Sequence, residues 1–460
     1  MSQDRKSVDA DFAIVGATII TMNDARSVIA DGALAVKDDE IVWIGARAAF
    51  EAEVSAKDII NADNDVVCPG FINAHVHTTG DPLTRHYSPD YIGGAEALMT
   101  WVIPRYMSHT PEDEGLSAKY CAIELMKSGT TTFIEAGTIR HLDEAVQGFR
   151  ETGIRGRVGA WVEGRAYDGD MAAQTRLVDE AVKILEDEID KYPDHQGEKI
   201  AAWPILVGHN MNPDEVWLAA KRLADDNTLS VLAHMSPYQS DPDWFLAETG
   251  ARPVEHLNNI GALGSNVLLT HMTHIDDREA EIVAEIGTSV VYCPFAALKG
   301  GFGVSAVGKY TKMLQNGVKI AFATDGYDPE ILQAARVGAS TFKDLEQTTA
   351  TMSAMGALEA ITCDAAAALG MSDQIGSLDV GKKADILCFD TDNFQWRPLL
   401  SPLAQLLWSA DARSLRDVWI DGQRVIQDGL ATLVDEDKLR ADAQQAGDRI
   451  IKAANLPKID

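Results

Sequence analysis

From Val66 onward the chain alternates short apolar runs with longer stretches of helical period, and this alternation restricts the fold more than any other feature. Seven runs, TTTFIEAG, RVGAWVEG, IAAWPILVG, LSVLAH, VLLTH, SVVYCP and KIAFATDG, are separated by helix-like segments. Val66-Val67-Cys68-Pro69, with His75 and His77 following, makes an eighth. Apolar strands that take turns with helices bury both faces of a parallel sheet, so eight units over residues 67–378 predict an α/β fold, a (β/α)8 TIM barrel with insertions. The ends of the chain read differently. Residues 1–66 carry β-type runs such as Phe12-Ala13-Ile14-Val15 and Ile41-Val42-Trp43-Ile44, broken by Gly and Asp turn signals. Strand texture returns after Gly381 in ADILCFD and VWIDGQRVIQDG, and residues 436–454 read as a closing amphipathic helix. Residues 1–66 and 379–460 are therefore expected to combine into one small β-sandwich domain flanking the barrel.

Composition narrows the function. The 460 residues are 46% hydrophobic and 24% charged, which suits a large globular core. Seventy acidic against forty basic side chains give a formal charge of −30, which repels nucleic acid and anionic membrane surfaces. A small neutral or cationic substrate fits better, although a solvated acidic surface accounts for the same charge. The five cysteines are widely spread without a CxxC pair, so they read as small buried apolar residues rather than a disulfide framework or a thiolate metal site. No apolar run is long enough to span a bilayer, and the start MSQDRKSVDADF lacks a signal-peptide core, so a cytoplasmic enzyme is expected.

In a TIM barrel the chemistry sits at the C-terminal ends of the strands. His75 and His77 are two residues apart in an extended segment and so face the same side, where both imidazoles can meet one ion. Alone, such a pair is common in ordinary packing. Its company gives it meaning: His234 ends LSVLA, His271 ends VLLT and Asp325 ends IAFAT. A carboxylate buried at a barrel mouth needs a cation to offset its desolvation. His75, His77, His234 and Asp325 around one divalent ion would leave a coordination position open to water, whose pKa the ion lowers to roughly 7.

The stretches PGFINAHVHTTGD, LLTHMTHID and ATDG, with His234 after its apolar run, resemble the metal-site motifs of the amidohydrolase superfamily. The tail IGSLDVGKKADILCFD with VWIDGQRVIQDG, and the opening FAIVGATIITMND, resemble its terminal signatures, so the likeness runs from about residue 11 to 430. It is nearest the branch containing atrazine chlorohydrolase and the adenosine, guanine and cytosine-type deaminases. The resemblance implies one divalent metal ion, zinc foremost with iron, cobalt and manganese also suited, held by His75, His77, His234 and Asp325. Asp325 would also take a proton from the attacking water, and His271 would polarise the substrate. Binuclear relatives use a lysine at the end of the fourth strand. Here that strand ends without one, and Lys199 lies at its other end, which implies a mononuclear site.

One departure bears on the substrate. Deaminases and chlorohydrolases of this branch place Glu three residues after the strand-five histidine, where it protonates a ring nitrogen; here that position is Pro237. An amide, urea or carbamate carbonyl needs less help, so cleavage of such a C–N bond is the expected reaction, as in the similar phenylurea and molinate hydrolases. The alternative is a heteroaromatic deaminase or dechlorinase with a relocated acid, for which Glu135, Glu163 and Asp328 are candidates, each more readily accounted for as a cap or salt-bridge partner. A non-catalytic scaffold on this fold is a remote third reading, since such proteins lose metal ligands. Arg165, His209, Asn210 and His274 are candidates for substrate binding or for supporting roles. The aromatic insert from Arg85 to Met107 could cover an aryl group or pack a homo-oligomer interface, and Lys299-Gly300-Gly301-Phe302-Gly303 could act as a lid.

Overall fold

A computed structural model describes residues 8–164, 177–195, 197–326 and 328–459. Strands β1 (Val8–Ile20), β2 (Val28–Lys37), β3 (Glu40–Ala46), β4 (Val54–Asn61) and β5 (Val66–Pro69) come first. The parallel strands follow: β6 (Phe71–Val76), β7 (Thr130–Glu135), β8 (Arg155–Val158), β9 (Ile200–Ala202), β10 (Ile205–Gly208), β11 (Val231–Met235), β12 (Val267–His271), β13 (Ser289–Tyr292) and β14 (Ile320–Phe322). After them come β15 (Ile386–Phe389), β16 (Leu415–Ile420), β17 (Gln423–Gln427) and β18 (Leu430–Ala431), then a helix over Glu436–Ala453.

Strands β6 to β9 form one parallel sheet and β10 to β14 another, each in sequence order. β9 and β10 are halves of one strand interrupted at Trp203 and Pro204, where proline has no N–H to give a ladder. The Trp203 amide still donates to the Val158 carbonyl (3.0 Å), and the Leu232 amide to the Pro204 carbonyl (3.3 Å), so the break is bridged on both sides. At the other seam, Asp325 N–H donates to the His75 carbonyl at 3.0 Å, and Asn73 Nδ2 donates to Thr324 Oγ1 at 2.7 Å. The strands are buried along their length, as continuous apolar runs require in a parallel barrel. Gly156 in β8 shows how tight the filling is: a Cβ there would lie 2.3 Å from the Phe133 ring.

The remaining strands make one nine-stranded sheet ordered β18-β17-β16-β15-β5-β1-β2-β3, with β4 paired to β1. Both ends of the chain thus share a sheet. The structure corrects one expectation: Val66–Pro69 does not open the barrel, because β5 pairs with β1 and β15, and Phe71–Val76 is the first barrel strand. Gly70 makes the change of sheet feasible, since a Cβ at that position would fall 2.1 Å from Thr131 Oγ1.

A buried charge cluster joins the two units. Arg155, in β8, pairs with Asp385 just before β15 and with Asp421 just after β16, and its side chain is 4% exposed. Removing one partner of a buried pair leaves an uncompensated charge and costs about 3–5 kcal/mol. Asp385→Ala is therefore expected to lower unfolding stability by roughly that amount in urea titration, whereas exposed Lys183, paired with Asp187 on one helix face, is expected to change it by less than about 1 kcal/mol when replaced by Ala.

Candidate active site

The C-terminal strand ends bring five side chains together. His75 and His77 come from the end of β6, His234 from β11 and His271 from the last position of β12, while Asp325 follows β14. The His75 ring centroid lies 5.4 Å from that of His77, 4.6 Å from His234 and 5.7 Å from His271. His77 Nε2 is 3.1 Å from Asp325 Oδ1. One nitrogen each of His75, His234 and His271 falls within 4.8 Å of the others, and the same holds for His75, Cys293 and Asp325.

Each imidazole is held from behind. His234 Nδ1 lies 2.8 Å from the Val207 carbonyl, which only accepts, so Nδ1 carries the hydrogen and Nε2 keeps its lone pair. His77 Nδ1 is 3.1 Å from Thr138 Oγ1, and that hydroxyl donates to Glu135 Oε1 at 3.0 Å. His75 Nδ1 is 3.3 Å from Thr270 Oγ1. In contrast, His75 Nε2 and His271 Nδ1 are buried with no hydrogen-bond partner among the described residues. Such an orphaned atom costs about 1–3 kcal/mol, which a cation at His75 Nε2 and a water or substrate atom at His271 Nδ1 would remove. The donor set of imidazoles and a carboxylate fits one divalent metal ion, zinc foremost.

For His75, His234 and His271 the electrostatics agree with that fit. Burial, reinforced by neighbouring imidazoles, holds His75 and His234 well below the ordinary histidine pKa, and burial brings His271 down to about 4. All three are neutral at physiological pH, the form that ligates metal. For His77 the burial penalty is outweighed by the hydrogen bond and charge of Asp325, which lift it to about 9, so a metal ion held by the two would have to displace that proton. Burial likewise opposes ionisation of Asp325, yet His77 holds that carboxyl below its usual range. The backbone is strained at the same places: His271 has φ +77° and Asp325 φ +63°. Left-handed conformations at non-glycine residues cost of order 1–3 kcal/mol and cluster where function requires them. Here Tyr310 Oη donates to the His271 carbonyl at 2.5 Å, which helps to hold that turn.

A cavity of about 1230 Å3 opens above the cluster, lined by His77, His234, His271 and Asp325 together with Trp161, Tyr238 and Phe302. His209 also lines it, its ring stacked 5.4 Å from His234 and its Nδ1 2.6 Å from Asp241 Oδ2. Asn210 is buried beside it without lining the cavity, and His274 instead meets the Phe302 carbonyl at 2.8 Å through Nε2. Arg165 lies outside the described residues. None of the three candidate acids lines the cavity: Glu135 serves Thr138, Glu163 accepts from the Trp161 indole, and Asp328 accepts from the Glu330 amide at 2.9 Å. Lys199 sits at the far end of its strand, 3.1 Å from Gln423 Oε1.

The insert 85–107 lines the cavity through Tyr91, Trp101 and Tyr106, and Lys299 to Phe302 line it as well. Lys299 Nζ donates to His86 Nδ1 at 3.1 Å, joining the two. Pro457 to Ile459 complete the rim. Reasoning from sequence missed Cys293 and Asp81. Cys293 follows β13 much as Asp325 follows β14, so its place at a strand end was a readable signal; Asp81 closes the HVHTTGD stretch itself.

A histidine-rich centre at the C-terminal mouth of a parallel barrel defines a metal-dependent hydrolase. Residues 66–425 match the amidohydrolase family, and the chain belongs to it. It is 29% identical over 450 residues to 5-methylthioadenosine/S-adenosylhomocysteine deaminase of Symbiobacterium thermophilum, covering 96% of this chain and 99% of that one. A zinc-bound adenosine deaminase from Xanthomonas campestris superposes with TM-score 0.88 at 24% identity, over 97% of this chain and 100% of that one. The atrazine chlorohydrolase of Arthrobacter aurescens, in complex with zinc and atraton, gives TM-score 0.85 at 19% identity, over 95% and 99% of the two chains.

Metal content tests the cluster directly. After chelation and reconstitution with zinc, elemental analysis is expected to find close to one equivalent in the unmodified protein and far less in His75→Ala and Asp325→Ala. His274→Ala, whose ring points to the Phe302 carbonyl, is expected to retain zinc in full.

Proposed function

We propose that this enzyme uses a metal-activated water to displace an amino group from an N-heteroaromatic ring, with His75, His77, His234 and Asp325 as the metal ligands. The observation that carries the reading is the convergence of these side chains, with the orphaned His75 Nε2 and His271 Nδ1, beneath an aromatic-walled cavity of about 1230 Å3. Relatives and structural neighbours support the ring substrate, being adenosine-type deaminases and a triazine chlorohydrolase. The deaminase or dechlorinase alternative is thus better supported than the carbonyl reaction drawn from Pro237. When bound, the ion supplies Lewis acidity and a water that ionises near neutral pH. The Asp325 carboxylate receives the proton of the attacking water and passes it toward the departing amine. The His271 imidazole lies beside the incoming atom and stabilises the charge that develops there.

Pro237 lines the cavity where that branch carries Glu, and this favours a second reading, phenylurea-hydrolase-like cleavage of a urea or related carbonyl C–N bond. A neutral or cationic small molecule suits either. The five cysteines carry free thiols, which accords with a reducing cytoplasm. A homo-oligomer is part of the proposal, supported by Phe394 and Leu400, 103% and 83% exposed, beside the helix Pro402–Trp408.

Ammonia release from adenosine, S-adenosylhomocysteine and guanine, set against aniline release from phenylurea by the zinc-loaded protein, tests the two readings. Turnover of a heterocycle alone upholds the first; turnover of phenylurea alone transfers the assignment to the second. In the same assay His271→Ala is expected to keep its zinc and lose about 10²- to 10⁴-fold in kcat. Near-normal turnover would remove His271 from the mechanism, and loss of zinc would make it a ligand.

A further inference from the structure

Position 237 brings no carboxylate to the cavity, yet another does face it. Among the described residues the cavity-lining carboxylates are Asp81, Asp90 and Asp325. Asp90 belongs to the insert 85–107 and Asp325 to the metal cluster, which leaves Asp81 close beside the centre without an assigned task.

Asp81 is held as a fixed anion. Tyr106 Oη donates to its Oδ2 at 2.6 Å, and an Arg105 guanidinium nitrogen lies 3.4 Å from its Oδ1. Arg105 is itself pinned: Nε donates to the Trp101 carbonyl and a terminal nitrogen to Thr84 Oγ1, both at 2.9 Å. The Arg105 side chain is 3% exposed and that of Asp81 19%, so the anchor is dry and the carboxylate keeps an open side. A carboxylate has about four acceptor positions, and these two partners leave others turned to the cavity.

Its location follows from Gly326. A Cβ on Gly326 would stand 2.3 Å from Asp81 Oδ2 and 3.5 Å from Cδ2 of the His77 ring. The carboxylate therefore occupies the space that a side chain at 326 would fill, next to Asp325 and on the His77 side of the centre. A built acceptor at that spot selects for a donor on the bound molecule.

We propose that Asp81 is the substrate-orienting residue: its carboxylate accepts a hydrogen bond from an N–H of the substrate and so fixes which atom of it faces the water. This deepens the reading of a heteroaromatic amine substrate and rests on it for the class of ring, but an N–H donor is equally a property of a urea. A charge-assisted hydrogen bond in a partly dry cavity is the kind of contact whose loss in an analogue is felt strongly, because the acceptor is then left unpaired. Molecules with an N–H donor are selected, and those with only acceptors or with negative charge at that point are rejected.

The experiment compares binding of two matched pairs to the zinc-loaded full-length protein by titration calorimetry: 2-aminopyrimidine against 2-(dimethylamino)pyrimidine, and phenylurea against its N,N′,N′-trimethyl derivative. The unmodified protein is expected to prefer the N–H member of a pair by about tenfold or more. Asp81→Asn keeps the shape but removes the charge and replaces one of the two acceptor oxygens by an NH2 donor, so the preference falls to near unity. Gly326→Ala, which displaces the carboxylate, is expected to do the same; melting temperature and zinc content show that each variant is folded and loaded. Loss of preference on the pyrimidine pair upholds Asp81 and the ring reading together. If the preference exists and is lost only on the urea pair, Asp81 stands and the heteroaromatic reading falls. A preference that survives in Asp81→Asn, or is absent from the unmodified protein for both pairs, overturns the proposal.

Discussion

One backbone hydrogen bond stands between this sequence and its active site: the Asp325 amide donates to the His75 carbonyl and ties the last barrel strand to the first. The two residues are 250 positions apart in the chain, and only closure of the ring makes them neighbours. Everything at the centre inherits that closure. His77 reaches Asp325, His75 approaches Cys293, and His234 and His271 enter from the strands between. Parallel pairing must be assembled across long loops, so contacts such as these form late and reward the chain only when the whole barrel is in place.

The centre is organised against the ordinary preferences of its residues. Neutral imidazoles are buried together, two nitrogens lack partners among the described residues, and two strand ends adopt left-handed backbone. Each is unfavourable in isolation and is tolerated because the surroundings are rigid: β11 and β12 are buried throughout, and the carbonyls and hydroxyls behind His234, His77 and His75 fix the rings. Such local conflict with a consistent scaffold marks a functional site. The cavity above has the opposite character, with aromatic walls and a few polar side chains among them.

Much of this was legible beforehand because barrel chemistry obeys position. A histidine or aspartate that ends an apolar run is marked by its neighbours in the sequence, which singles out His234, His271 and Asp325, while His75 and His77 are marked by their two-residue spacing. The boundary at Val66–Pro69 was not legible: four buried apolar residues look alike whether a strand belongs to a sheet or to a barrel, and only pairing with β1 and β15 decides. Roles set by distant partners were hidden for the same reason. Nothing local tells that His274 meets Phe302, that Glu135 serves Thr138, or that Asp81 rests between Arg105 and Tyr106. Spacing reports direction along one strand, whereas these contacts depend on how loops from different strands meet.

Pro457 to Ile459 contribute to the wall of a chamber whose earliest histidines in the chain are His75 and His77, and the sheet containing β5 needs β15 and β16 to be complete. The residues that close the wall of the chamber thus lie hundreds of positions after His75 and His77, so the chamber is built from both ends of the sequence.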